Sequence, residues 1–222
     1  MITTPRVITI LAAGIGPTSA FSLSMNSALI VQNKGGGHGE LGFQLAKNLS
    51  SNPKITSITI LQDSACNDAK EPFASYSSDI PNVKIVKADL ADESMTAATV
   101  QSLLGDSYDY IWDNASKGAS GAGKAVLDCA KEWNSKLLTY VSSAGIYKPD
   151  DVFPMPETTP VKDSAGQVQY EQYALKNGLP FVSSTLITQN HLLPCDMSRS
   201  SLQLCKQLRD YFTFLLLCFQ TD

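Results

Sequence analysis

One stretch constrains the fold of this chain more than any other: residues 28–42, ALIVQNKGGGHGELG. Ala28–Gln32 is a short, mostly apolar run and reads as a strand buried on both faces. Glycines follow at 35, 36, 37, 39 and 42, and from Leu41 to Leu49 the apolar residues recur at helical spacing. The glycines satisfy GxGxxG at Gly37, Gly39 and Gly42, and also GxxGxxG at Gly36, Gly39 and Gly42. A strand, a glycine loop and a helix in that order form a turn whose backbone can approach a pyrophosphate. The last glycine lets helix and strand pack closely, and the helix N-terminus offers free N–H groups and a positive dipole end. Gly36, Gly37, His38, Gly39 and Gly42 are therefore the candidate dinucleotide-binding residues.

The rest of the chain repeats this alternation. Ile55–Leu61, Val83–Lys87, Tyr108–Trp112, Leu137–Val141 and Phe181–Ile187 read as strands. Met95–Leu104, Lys124–Trp133 and Val168–Lys176 read as helices, while Asp63–Pro81 and the four-proline stretch 148–162 read as loops. Repeated βα units imply an α/β, Rossmann-like, doubly wound parallel sheet that binds ligands beyond the carboxyl ends of its strands. An acidic residue about 20 positions past the glycine loop would hold the ribose hydroxyls. Gln62 and Asp63 stand 20 and 21 residues after Gly42, so both are candidates. No arginine occurs between residues 7 and 198 to grip a 2′-phosphate, which leans toward NAD over NADP, although a lysine could serve. A second glycine run, Gly118–Ala125, fits GxxxxGK but carries Ala125 where a hydroxyl must hold magnesium, and it reads as a flexible loop.

Composition narrows the function classes. The 222 residues carry a net charge of −4, which gives no general attraction to phosphate polymers. Two histidines rule out a histidine-rich metal site, and the five cysteines show no zinc-type spacing and read as free or buried thiols. No metal ligand set is identified. No apolar run is long enough to span a bilayer. Residues 1–26 read as a targeting presequence: Arg6, the apolar run 7–16, small residues at 18–20, then an acid-free, hydroxyl-rich stretch. The Ser19-Ala20-Phe21 junction resembles the bipartite plastid presequences of algae with secondary plastids; a secretory signal, or a start at Met25, is the alternative. Residues 27–190 are read as the Rossmann domain and 191–222 as an atypical tail, either a terminal helix or the product of a faulty gene model.

Further segments carry a family resemblance. Asp89-Leu90 follows the third strand, Asp113-Asn114-Ala115 the fourth, and Val141–Tyr147 (VSSAGIY) the fifth. These resemble the cofactor-lining segments of extended short-chain dehydrogenases/reductases. Residues 33–38 (NKGGGH), 142–149 (SSAGIYKP) and 160–166 (PVKDSAG) look like the chloroplast stem-loop-binding proteins, atypical members of that superfamily. The likeness spans roughly residues 27–185. It implies an NAD(P)-binding scaffold with Asp89, Leu90, Asn114 and Ser142 beside the cofactor and Ser143 as the catalytic candidate. It also implies plastid RNA and ribonucleoprotein partners, RNA stabilisation or endonucleolytic processing with possible magnesium, and homo- or hetero-oligomers. Asp113, Asp150 and Asp151 are the magnesium candidates, with plain surface carboxylates as the alternative.

Two departures qualify the resemblance. The oxidoreductases use Tyr-x-x-x-Lys, in which the lysine lowers the tyrosine pKa. Here Gln167 and Glu171 stand at those positions, and no tyrosine has a lysine four residues on. Hydride transfer of the usual kind is disfavoured, which argues against the first alternative function, an NAD(P)-dependent epimerase, dehydratase or reductase, and not against the second, a non-catalytic dinucleotide-binding scaffold; Tyr147, Tyr170 and Tyr173 read as packing residues or nucleotide neighbours. Between residues 27 and 190 there are 13 lysines against 18 acidic residues, a net −5, with Lys117, Lys124, Lys148 and Lys162 as the one candidate basic stripe.

Overall fold

The computed structural model describes residues 26–32, 37–148 and 159–183, with the backbone alone at 37–39 and 144. The presequence 1–26 apart from Asn26, the tail 191–222, Gly36, Asp150 and Asp151 lie outside the described residues. Six parallel strands form one sheet in the order β3-β2-β1-β4-β5-β6. They are β1 (Asn26–Gln32), β2 (Ile55–Asp63), β3 (Lys84–Ala88), β4 (Tyr110–Asp113), β5 (Leu137–Tyr140) and β6 (Phe181–Ser183). The helices are α1 (Gly37–Ser50), a single turn α2 (Tyr76–Asp79), α3 (Ala97–Leu104), α4 (Gly121–Glu132) and α5 (Gly166–Lys176). This is the doubly wound, Rossmann-like order expected from the sequence.

Both faces of the sheet are covered, which explains why β1 is a continuous apolar run and not an alternating one. Ala28, Ile30, Ile58, Ile60 and Trp112 face α1 and α2, where they meet Phe43, Ala46, Leu49 and Tyr76. Leu29, Val31, Leu61, Ile111, Leu138 and Tyr140 face α3, α4 and α5. Helix α3 is capped at its start by Thr96, whose Oγ1 accepts from the Thr99 N–H at 3.3 Å, and at its end by Gly105 with φ +75°. Helix α4 buries Val126, Leu127, Cys129 and Ala130.

Several segments differ from the sequence expectation. The stretch 63–81 is not wholly a loop: Phe73–Ser75 makes a 3-10 turn and α2 follows. Tyr76 is the cause, since its ring stacks on Phe43 with centroids 5.3 Å apart and is nearly fully buried. Strand β2 runs on to Asp63 because Gln62 and Asp63 both pair with β3. Helices α1 and α4 each start earlier than their apolar spacing shows, at Gly37 and Gly121.

The amino ends of the central strands are tied by Asp109. Its carboxylate accepts from the Ser27 N–H at 2.9 Å and pairs with Lys136 at 2.9 Å. Burial pushes this carboxyl up, but those donors outweigh it and hold it below the usual range. Leu138→Ala, at a position with 0% exposure, is expected to cost about 2–5 kcal/mol. Leu103→Ala, at an exposed position, should cost within about 0.5 kcal/mol, and urea unfolding of the two variants checks the contrast.

Candidate functional site

Strand β1 has β2 on one side and β4 on the other, so the chain reverses direction across the sheet between β1 and β4. A crevice opens at such a switch point, beyond the carboxyl ends of the strands. A cleft of about 210 Å³ lies there. Val31 and Asp63 form its floor, Leu90–Glu93 one wall, and Ala115–Gly118 with the start of α4 the other. Asp63, Asp92 and Glu93 supply its negative charge, and Lys117 is the one cation among the described lining residues.

The period-2 alternation of β2 separates the two ribose candidates. Leu61 faces α3 and α4, so Gln62 turns to the α1 side and Asp63 returns to the cleft. Gln62 Oε1 accepts from Gln32 Nε2, which also donates to the Tyr76 hydroxyl at 2.7 Å. Gln62 is therefore part of a buried polar cluster under α1. Asp63 is nearly buried at the cleft floor, and its Oδ1 accepts from the Ala65 N–H at 2.8 Å.

The glycine motif sits at the start of α1. Gly37, His38 and Gly39 form its first turn. Gly42 meets β1, not the cleft. A Cβ added there would lie 1.6 Å from Gln32 Oε1 and 3.5 Å from Ile30 Cγ2. Helix and strand thus approach as the third glycine of the motif allows, and Gln32 Oε1, fully buried, has no partner among the described residues.

Leu90 lines the cleft, while Asp89 is exposed and its Oδ1 accepts from the Ala91 N–H at 3.0 Å. Asn114 is buried just past β4, its N–H donating to Val31 O at 3.0 Å. Ser142 is half-buried after β5. Ser143 is exposed, and its Oγ accepts from the Gly145 N–H at 3.1 Å within its own turn. The structure thus brings Asp63 and Leu90 to one cleft and sets Gln62, Gly42 and Asp89 apart from it.

The wall after β4 is built on Asp113, which the sequence offers both within the cofactor-lining segment 113–115 and as a magnesium candidate. Its carboxylate is fully buried. Oδ1 accepts from the N–H groups of Ala115 and Ser116 at 3.0 and 2.9 Å. Oδ2 accepts from Ser116 Oγ at 2.6 Å and from the Tyr170 hydroxyl at 2.8 Å. Burial pushes the Asp113 carboxyl up, and the four donors pull against that push. Both oxygens are occupied by protein donors. Among the described residues no group of three or more His, Cys, Asp or Glu could hold a metal ion.

Helix α5 carries Gln167 and Glu171, the positions that the sequence resemblance aligns with a Tyr-x-x-x-Lys pair. Gln167 is half-buried, and Glu171 is buried and accepts from Ser183 Oγ at 2.6 Å. The nearby phenols are driven away from neutral-pH chemistry. Burial pushes Tyr140 and Tyr170 far above the ordinary phenol range, with the Asp113 charge adding to both. The bond from Tyr173 to Asp128 at 2.6 Å pushes that phenol up as well.

The second glycine run is structural. Lys124, the lysine of GxxxxGK, runs along α4 to Asp128 at 2.5 Å and lies over the Tyr173 ring. A Cβ at Gly123 would fall 2.3 Å from Gly118 O, and one at Gly121, where φ is +45°, would fall 2.8 Å from Asp92 O. The approach at Gly121 brings the two cleft walls together, and that at Gly123 closes the turn 115–118 onto α4. Read as a flexible loop, the run gave no hint of this, although three glycines in six residues was the available signal. Of the basic stripe, Lys162 donates to Gly145 O at 3.0 Å and Lys117 and Lys148 are exposed.

No family model matches the chain, and no curated protein matches it. Solved structures do. An epimerase from Methanothermobacter thermautotrophicus is 20% identical with a TM-score of 0.52, over 72% of this chain and 51% of that one. The UDP-glucose 4-epimerase of Thermotoga maritima, solved with UDP-glucose, is 16% identical with a TM-score of 0.50, over 71% and 54%. The enzyme WbmG of Bordetella bronchiseptica, solved with NAD, is 16% identical with a TM-score of 0.50, over 74% and 54%. The likeness at this identity is one of fold, and the chain spans about half the length of the structures it matches.

Gly42→Ala should destabilise by about 1–3 kcal/mol, because the methyl group displaces a buried side chain with two hydrogen bonds. In the double variant Gly42→Ala/Gln32→Ala the space is relieved, and urea unfolding should show a loss smaller than the sum of the two single losses.

Proposed function

We propose that this chain binds a nicotinamide dinucleotide, NAD in preference to NADP, on a short-chain dehydrogenase/reductase-type scaffold without using it for hydride transfer. The observation that carries this reading is Asp63, a carboxylate at the carboxyl end of β2 turned into a cleft at the switch point of the sheet. The residues fit the group. Asp63 would accept from ribose hydroxyls and repel a 2′-phosphate. Leu90 and Ala115 give apolar flanks for an adenine, and the N-terminus of α1, with the glycine motif, would receive the pyrophosphate. The bound nucleotide would supply redox chemistry, but α5 offers no phenol with a lowered pKa to move a proton beside it.

Association with plastid RNA is the second reading, and the motifs at 33–38, 142–149 and 160–166 favour it. Its electrostatic support is thin, since Lys124 is paired with Asp128. Import into plastids through residues 1–26 belongs to the same reading, and a fluorescent fusion to that segment tests it. Among the described residues no helix is long and apolar enough to cross a membrane.

Calorimetry with NAD+, NADP+ and a plastid stem-loop RNA separates these readings. NAD+ should bind and NADP+ should bind more weakly, with no turnover detected. Asp63→Ala should weaken NAD+ roughly ten- to a hundredfold, as expected for hydrogen bonds to a charged group. No NAD+ binding by the wild type would sink the main reading, and no RNA binding even at low salt would sink the second.

A further inference from the structure

We propose that Tyr170 is a positioning residue for the dinucleotide cleft: through Asp113 it holds the turn 115–118 that forms one wall. The inference rests on the dinucleotide reading above and adds which residues shape that site from behind. Tyr170 does not line the cleft. Its hydroxyl donates to Asp113 Oδ2 at 2.8 Å, and the same carboxylate receives the Ala115 N–H, the Ser116 N–H and the Ser116 hydroxyl. Ser116 and Lys117 then face the cleft.

A second tyrosine completes the grip. Tyr140 stacks on Tyr170 with centroids 4.1 Å apart, and its hydroxyl donates to Ser116 O at 2.8 Å. Ser116 is thereby fixed at its N–H, its hydroxyl and its carbonyl. Helix α5 also touches the same turn by backbone. A Cβ at Gly166 would lie 2.2 Å from Lys117 O. Gly166 and Tyr170 are four residues apart, hence on one face of α5, and both bear on the wall of the cleft. A hydroxyl needed only for packing would not have to meet the one carboxylate that organises that wall. By reciprocity, a ligand bound against this wall tightens the docking of α5.

Amide exchange followed by NMR, with calorimetry, tests this on the full chain as wild type, Tyr170→Phe and the control Gln169→Ala, an exposed position on the same helix. In Tyr170→Phe the Ala115 and Ser116 amides should exchange about tenfold faster, the loss of one buried hydrogen bond, and NAD+ affinity should fall by a similar factor. Gln169→Ala should change neither. Unchanged exchange at both amides, or wild-type NAD+ affinity in Tyr170→Phe, overturns the positioning role alone. Failure of the wild type to bind NAD+ overturns the dinucleotide reading and this inference with it. If Tyr170→Phe does not fold, Ser116→Ala removes another donor from the same carboxylate oxygen. Normal NAD+ affinity there, with normal exchange at Ala115, overturns the proposal.

Discussion

The buried carboxylate of Asp113 is the interaction on which the upper half of this structure depends. A charged group with no exposure is tolerated only when its oxygens are fully engaged, and here four donors converge on it. Two come from the backbone immediately after β4, so the carboxylate dictates how the chain leaves the sheet. One comes from α5, so it also dictates where that helix sits. Asp109, at the other end of the same strand, is half-exposed and ion-paired, and does a comparable job for the amino ends of β1 and β5. The central strand is thus pinned at both ends by aspartates, with an apolar interior between them.

That arrangement fixes where α5 sits and what its side chains do. The Tyr-x-x-x-Lys pair that the sequence resemblance implies would stand on this helix. Here its phenols look inward or along the surface. Tyr170 is committed to Asp113, Tyr173 to Asp128, and the buried Glu171 to Ser183. Each of these acceptors is anionic or each site is dry, so the phenols bind their protons more firmly. Both phenols of the helix are held above their ordinary range.

Much of the fold was legible in the sequence because its signals are local. The apolar run of β1 and the glycine motif placed β1 and α1, and the β-branched strand β2 followed at the expected distance. What was illegible depends on tertiary partners. Nothing local distinguishes Gln62 from Asp63 as the residue at the cleft; the alternation of β2, counted from Leu61, decides it. Helix α2 was invisible because a single turn in a polar stretch exists only through the stacking of Tyr76 on Phe43. The roles of Asp113 and Tyr170 need two residues 57 apart in sequence to meet, and no spacing rule joins them. The run at 118–124, which reads as a flexible loop despite its GxxxxGK pattern, holds glycines at which backbones touch.

The neighbour of Asp113 has a consequence of its own. Trp112 precedes it in β4 and points to the opposite face, buried against the α1 side, with an indole N–H that has no partner among the described residues. The chain has two tryptophans, and the other, Trp133, caps α4 half-buried against Tyr108. The two indoles therefore sit in different surroundings, one dry and one partly wet. Their combined emission forms an intrinsic optical gauge, and its blue component reads the packing of the strand that carries the carboxylate.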